Sequence, residues 1–337
     1  MTAIVSITSF FRAIALAPLR ALYGLLLSPA EEMYLGVLIP QVMLLALVRR
    51  GQRWRGATRY PPLFAASTLR RGSSRVDVLL LVLGGGFPSL LAWGLFTGAL
   101  VRAMGRVLPN SQIATGFFGA HEQIAMLSIT LVIFVAADFS TFVNHRLHHR
   151  IPTLWAFHLV HHSAPEMTPM TATRVHPLEL VVGNVIESIV SGSLIGTWIA
   201  LVQPRVGIAT ILGVHAVYLL FHVAFAAARH SSIPISFGPL EYVFVSPRMH
   251  QLHHSIDPQY HDQNFGQLLS VWDRIFGSRV CTPPPERIRF GVEGRTGDSL
   301  REALLTPFID AMETLRRTPG PVAPVAPVLA RSASPGD

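Results

Sequence analysis

HRLHHRIPTLWAFHLVHH, residues 145–162, puts six histidines into a short run that directly follows an apolar stretch, and HQLHH at 250–254 repeats the pattern downstream. Imidazole is the commonest metal ligand, and with an unperturbed pKa near 6.5 it is mostly neutral and free to coordinate at neutral pH. Residues three and four apart share one face of a helix. His145 with His149, His158 with His161 and His162, and His250 with His253 and His254 can therefore each aim two or three nitrogens at one point. Eight or nine converging imidazoles exceed what one tetrahedral ion takes. They suit two metals side by side.

The rest of the chain says where such a centre would sit. Half of the 337 residues are apolar and 14% are charged, against about 25% charged in an ordinary soluble domain. The deficit implies a surface that faces lipid. One cysteine, Cys281, excludes a disulfide framework and any cysteine-based zinc or iron–sulfur site. The net charge of +8 is concentrated: Arg49, Arg50, Arg53, Arg55, Arg59, Arg70, Arg71 and Arg75 fall in one loop between apolar segments. That is a membrane-topology signal and argues against a nucleic-acid partner. On anionic headgroups each such residue contributes about 1 kcal/mol.

Apolar stretches at 32–48, 76–101, 124–143, 180–201 and 206–228 are long enough to cross or to re-enter a bilayer, whose core takes about 20 residues. Pro40 interrupts the first of these, and Gly84 to Gly86 with Pro88 are expected to kink the second. Residues 3–28 read equally as an interfacial helix or a poor first span, and no cleavage site suggests a removable signal peptide. Placing the arginine loop inside makes 124–143 return to the cytoplasmic face, and 180–201 with 206–228 go out and back. All three histidine clusters then meet on one side under a rule that ignores histidine. The expectation is an all-α integral membrane protein with four to six transmembrane or re-entrant helices. A cytoplasmic helical cap from 144–180 and 229–280 would hold a histidine-rich dimetal site. The expected setting is multi-pass in a bacterial inner membrane, the metal site on the cytoplasmic side. Ser246-Pro247 reads as a helix start, 301–317 as a peripheral amphipathic helix, and the Pro/Ala/Ser tail from Thr318 as disordered or extended.

The runs HRLHHRIPTLWAFHLVHHS, TRVHPLE, RHSSIPISFGPLEYVFVSPRMHQLHHS and DQNFGQLLSVWDRIFGS, over about residues 136–278, resemble the fatty acid hydroxylase/sterol desaturase family in order, spacing and intervening residues. The resemblance implies residues 124–280 as the histidine-box hydroxylase/desaturase domain. Hydropathy, the arginine loop and composition make 1–123 N-terminal membrane helices with a basic cytoplasmic loop, 281–317 a peripheral C-terminal segment and 318–337 a disordered tail. It implies two iron ions, for which zinc can substitute in a purified sample, because imidazole alone does not choose among iron, zinc, copper and nickel. Matched by position, the ligands are His145 and His149, then His158, His161 and His162, then His250, His253 and His254, with His230 preceding the last box. Some members carry a further histidine where this chain has Ala226. His222, about 12 Å deeper along a straight helix, is the tenth candidate. The chemistry implied is O2-dependent hydroxylation or desaturation of a lipid: a sterol, fatty acyl chain or related molecule. No haem-attachment motif, dinucleotide fingerprint or cysteine set is present, so electrons would come from a ferredoxin- or cytochrome-type donor.

Other polar residues have plainer expectations. His148 reads as polar surface at the bend, or less readily as a donor behind a ligand. His121 and His215 read as hydrogen-bonded structural residues. His176 would orient the second cluster or pack, equally. Asp138, inside a span, would hold a ligand histidine's tautomer or pair with Arg146. Asp262, Asn264, Trp272 and Asp273 would fix the loop and helix after the third box. The main competing function is a histidine-rich metal-binding or transport protein without oxidase activity, which would spread histidines and carboxylates through its spans. A bis-histidine cytochrome would leave most of the histidines unused, and no H-E-x-x-H helix supports a zinc protease.

Overall fold

The structure is a computed structural model. It describes residues 72–85, 89–108, 112–202, 210–211, 214–215, 228–231, 233–281, 288–295 and 297–316, with isolated positions between 43 and 50. The readings for 3–28, most of 32–48, the arginine loop up to 71, His222 and the tail lie outside the described residues.

Nine α-helices are described: α1 Gly72–Gly85, α2 Ser89–Val107, α3 Gln112–Ala120, α4 Glu122–Arg150, α5 Pro152–His162, α6 Pro177–Val202, α7 Pro247–His253, α8 Val271–Ile275 and α9 Leu300–Arg316. The described parts of the apolar stretch 76–101 belong to α1, which ends at Gly85, and α2, which starts at Ser89. Arg75 belongs to α1 and not to a loop. Within 206–228, Thr210 with His215 and Ile211 with Val214 form a small antiparallel pair where a helix was expected, and most of the stretch lies outside the described residues. Thr210, Ile211 and Val214 are β-branched, which suits extended backbone.

α4 and α6 are long and apolar enough to cross a membrane. α4 has no glycine or proline along its length and runs unbroken through the first histidine cluster. It stops because Pro152 disfavours helical geometry at Ile151, which is extended, while the proline itself opens α5 at its first position. That bend folds α5 back beside α4. α6 packs between α2 and α4. It approaches closely because it presents glycine: a Cβ at Gly196 would lie 3.0 Å from the Val101 backbone, and one at Gly183 would lie 2.9 Å from Asn144 Nδ2. Small residues serve the same purpose between membrane helices generally. Asn144 of α4 also donates to Glu187 of α6 at 3.0 Å. Ile124, Leu127 and Leu131 on α4, with Val185, Ile189, Leu194 and Leu201 on α6, remain exposed as an apolar band.

The segments that carry the second and third histidine clusters are held by buried polar clamps. Arg174, wholly buried, donates to Asp77 at 2.8 Å, Ser163 Oγ at 3.0 Å and the carbonyls of Ser73, Val160 and Gly297. It thereby ties α1, α5 and the approach to α9 together. Glu241 accepts from Ser236 and Ser246 at 2.7 Å each and from Arg248 at 2.8 Å, and Cys281 also donates to it. Burial pushes the pKa of this carboxyl up, but those donors outweigh it and leave the pKa at about 2. Ser246 is at once a partner of Glu241 and the N-cap of α7, accepting from Met249 N at 3.2 Å. The clamp therefore fixes where the third histidine helix begins.

Candidate metal centre

The nine described candidate ligands gather into two adjoining groups. His145, His149, His158, His162 and His253 form one; His161, His230, His250 and His254 form the other. Within each group the candidate ligand atoms lie within 4.8 Å of one another. Helix periodicity makes the division. On α5, His158 and His162 are a turn apart and turn to the five-membered group, while His161 faces the other. The third cluster divides in the opposite sense: His250 and His254 go to the four-membered group and His253 crosses to the five. Two helices are therefore shared between the groups, and the rings of His162 and His254 stack at 4.4 Å across the boundary.

In the five-membered group the Nδ1 atoms look outward. His145 Nδ1 meets the Phe265 carbonyl at 2.8 Å, His253 Nδ1 the Gln263 carbonyl at 2.6 Å, His158 Nδ1 the Glu179 carboxylate at 2.6 Å, and His149 Nδ1 lies 3.4 Å from Asp262 Oδ1. An acceptor behind Nδ1 keeps the proton there and leaves Nε2 with its lone pair. The Nε2 atoms of all five rings are buried without a hydrogen-bond partner. In the four-membered group the Nε2 atoms crowd one another: His230 to His161 at 3.3 Å, His250 to His230 at 2.9 Å, and His254 to His250 at 3.2 Å. A neutral imidazole carries one proton. Whatever the tautomers, at most two of those three contacts can be hydrogen bonds.

Burial pushes the pKa of His158, His161, His162, His230, His250 and His254 well below the ordinary histidine value and that of His253 down to about 3. These rings are neutral at neutral pH. Converging, buried, unprotonated nitrogens each cost about 1–3 kcal/mol when left unsatisfied, and a cation removes that cost. Separations of 2.9–3.3 Å are those of imidazoles about 2.0–2.1 Å from a shared ion. The donor set fits two metal ions, one per group.

Several expectations are revised. Asp138 neither backs a histidine nor pairs with Arg146: it accepts from Leu268 N at 3.0 Å, Leu269 N at 3.2 Å and Trp272 Nε1 at 2.8 Å. A carboxylate buried in a helix satisfies itself with whatever donors the packed segment offers, and here these are two backbone amides and an indole N–H. His148 is buried and not surface, with Nδ1 2.9 Å from the Asn144 carbonyl of its own helix, and it belongs to neither group. His176 also lies outside both groups. Its Nε2 faces the Leu304 carbonyl at 3.2 Å and its ring packs on Phe157 and Phe308, so it fastens α9. His121 bonds the Phe117 carbonyl at 2.8 Å at the far end of α4. His215 pairs in the small hairpin. Asn264 and Asp273 do fix the loop: Asn264 (φ 53°) clamps Met249 and Val280, and Asp273 accepts from Phe265 N and Gly266 N at 2.8 Å each. Sequence reasoning gave no role to Glu179, Arg174 or Glu241. For Glu179 the signal was present, since an acid follows His176 within the TRVHPLE run.

Residues 130–278 match the family model described as fatty acid hydroxylase. This segment, which contains every residue of both histidine groups, belongs to that family. Among curated proteins, the chain is 26% identical over 179 residues to ornithine lipid hydroxylase OlsE of Rhizobium tropici, covering 52% of this chain and 48% of that protein. It is 29% identical over 145 residues to alkylglycerol monooxygenase of Homo sapiens, covering 43% and 29%. It is 26% identical over 182 residues to cholesterol 25-hydroxylase of Rattus norvegicus, covering 52% and 54%. The chain spans about half or less of the length of these relatives. All three are named as hydroxylases or monooxygenases. No solved structure matches.

Proposed function

We propose that the protein is a membrane-bound, O2-dependent di-iron hydroxylase that inserts oxygen into an aliphatic C–H bond of a membrane lipid. The observation that carries this reading is the pair of buried histidine groups sharing α5 and α7, with five Nε2 lone pairs converging in one and four Nε2 atoms in contact in the other. When bound, two iron ions supply the electrons and the Lewis acidity for oxygen chemistry that no side chain provides. The five-membered group would hold one ion and the four-membered group the other.

The chain's own residues then do three things. Glu179, Asp262 and the carbonyls of Gln263 and Phe265 hold imidazole tautomers so that Nε2 faces inward. Phe265 lies edge-on to His145, His149 and His253, and Trp155 covers His149 and His162, so that side of the centre is walled by aromatic rings that keep water off. α4 and α6 would place the site at the membrane face, open to a lipid arriving laterally with its polar end near the cytoplasm. Further helices among residues 1–108 would bring the spans to four to six, in a bacterial inner membrane. Electrons would come from a ferredoxin- or cytochrome-type donor. Hydroxylation is favoured over desaturation because the relatives are named as hydroxylases or monooxygenases, and the molecules in their names, an ornithine lipid, an alkylglycerol and cholesterol, are all amphiphiles. A transport path is disfavoured, since the candidate ligands form one buried cluster.

The test is lipid profiling of cells with and without the gene, repeated with His161→Ala and His253→Ala. A lipid gaining one oxygen only with the wild-type gene is the expected result. An oxidised lipid that persists in both alanine strains would remove the assigned centre.

A further inference from the structure

Two short segments of the cap lie much deeper along α4 than the histidines do. The turn Gly238–Tyr242 with Val243 and Phe244 is joined to residues 268–276 by the Phe244–Leu269 bridge and by backbone bonds from Val245 to Leu268 at 2.8 Å and from Ser270 to Val243 at 2.9 Å. The joined unit packs against the side of α4. Phe244, Leu268 and Leu269 cluster with Phe134 and Val135. Asp138 takes the Leu268, Leu269 and Trp272 donors. Trp272 lies 4.8 Å from Phe139, and Phe276 lies 5.3 Å from Phe142. At 1.5 Å rise per residue, Phe134 is about 16 Å and Asp138 about 10 Å below His145 along the helix axis.

The outward side of this unit is apolar. Leu240 is 61% exposed, Tyr242 56%, Val243 41%, Ile275 64% and Phe276 45%. Its rim is basic: Arg274 and Arg279 lie over the Tyr242 ring at 5.4 and 4.5 Å, and Arg146 lies over Phe276 at 5.5 Å. The acids of the same unit do not reach the surface. Glu241 and Asp273 are buried and spoken for by hydrogen bonds. Aromatic and aliphatic side chains ringed by arginine, at a depth set by a spanning helix, have the composition of an element seated between headgroups and acyl chains.

We propose that residues 238–244 and 268–276 form a foot embedded in the headgroup–acyl boundary of the leaflet at the histidine end of α4, its arginines on anionic headgroups. The foot rests on the reading of α4 as a membrane span. Because residues 262–266, which back three histidines, lead directly into it, the foot sets the height of the metal centre above the acyl chains.

The test uses the full chain in bilayer discs of phosphatidylcholine and phosphatidylglycerol, with Cys281→Ser as background. Single nitroxide labels go on Ile275→Cys and Val243→Cys, with Leu127→Cys on the exposed face of α4 and Gln259→Cys on the exposed cap as references. Metal content equal to that of the unlabelled chain certifies folding. Collision with oxygen against an aqueous nickel chelate reads depth. The expected result is that both foot labels sit about 5–10 Å into the boundary, between the two references. If Leu127→Cys is in lipid while both foot labels are as open to the chelate as Gln259→Cys, the foot is overturned and the span stands. If Leu127→Cys is itself aqueous, the membrane reading fails and the foot with it. Foot labels shielded from both reagents would mean that a protein surface covers the patch, which also overturns the proposal.

Discussion

The five-histidine and four-histidine groups are built from the same helices and the same side chain, yet they are supported differently. Four rings of the larger group have an oxygen acceptor at Nδ1: two carbonyls, a buried carboxylate and a half-exposed one. In the smaller group the Nδ1 atoms of His161, His230 and His250 are buried without a hydrogen-bond partner. His161 feels the Arg174 backbone, but no bond to its Nδ1 closes. Acceptors behind a ligand histidine fix the ring and raise its basicity, and losing one typically costs about 10–100-fold in metal affinity. The larger group is thus a pre-organised site. The smaller one depends on its ion to order the rings, so the two should differ in how firmly they hold metal.

Removing ligands tests this most forcefully. His250→Ala or His230→Ala should abolish activity and lower metal content from about two ions per chain to about one, the five-histidine ion remaining. His149→Ala should lose both, because the smaller site borrows its geometry from α5 and α7 held by the larger. A His250→Ala protein devoid of metal, or a His149→Ala protein that keeps one ion, would reverse the ranking. Stripping wild-type protein with a chelator should show two phases, with rates at least ~10-fold apart. A single phase releasing both ions together would make the groups equivalent.

Acid should weaken both groups through one sign. In the metal-free fold the rings outside α4 have pKa values depressed below 6.5 by burial. The unfolded chain therefore takes up protons that the native state refuses as pH falls through about 6.5. Their contribution is complete above that value and is lost toward lower pH. Thermal melts of stripped protein in detergent should show the midpoint falling steadily from pH about 7.5 to 5. A flat or rising midpoint over that range would mean the rings are not buried neutral. Glu179→Ala should act more narrowly. It removes the acceptor at 2.6 Å from His158 and should weaken retention of the tightly held ion by about 10–100-fold, with the slow chelation phase accelerated and the fast phase unmoved.

The contrast between the groups was only half legible in the sequence. Spacing of three and four within a helix put His158, His161 and His162 together, and the same periodicity contains the split that sends His161 the other way. The first cluster and its bend were equally readable, since Pro152 dictates where α4 stops. What hid was the support. His145 is backed by a carbonyl 120 residues away, and a carbonyl has no residue signature. Asp138 invited a histidine partner because acids in spans often serve one, but backbone amides from residues 268 and 269 reached it first. His148 looked like surface because nothing local announces its burial, with the His158 ring of α5 5.8 Å from its own. Residues 210–215 were read from hydropathy alone, which cannot separate an apolar helix from extended β-branched residues.

Asp262 should give the smallest effect, and it discriminates between two accounts of the acceptor loop. Its carboxylate is 3.4 Å from His149 Nδ1 and the side chain is 46% exposed, so solvent screens the interaction much as it does a surface ion pair. The residue also holds a left-handed backbone, φ 57°, a conformation that asparagine accepts and alanine resists. If the loop works by shape, presenting the Gln263 and Phe265 carbonyls to His253 and His145, Asp262→Asn should leave the slow phase of metal release within about threefold of wild type and Asp262→Ala should disturb it more. If the carboxylate charge itself holds the ion, asparagine and alanine should be equally damaging, and the effect should shrink as salt rises. The exposure and the long contact favour shape, with Asp262→Asn nearly silent.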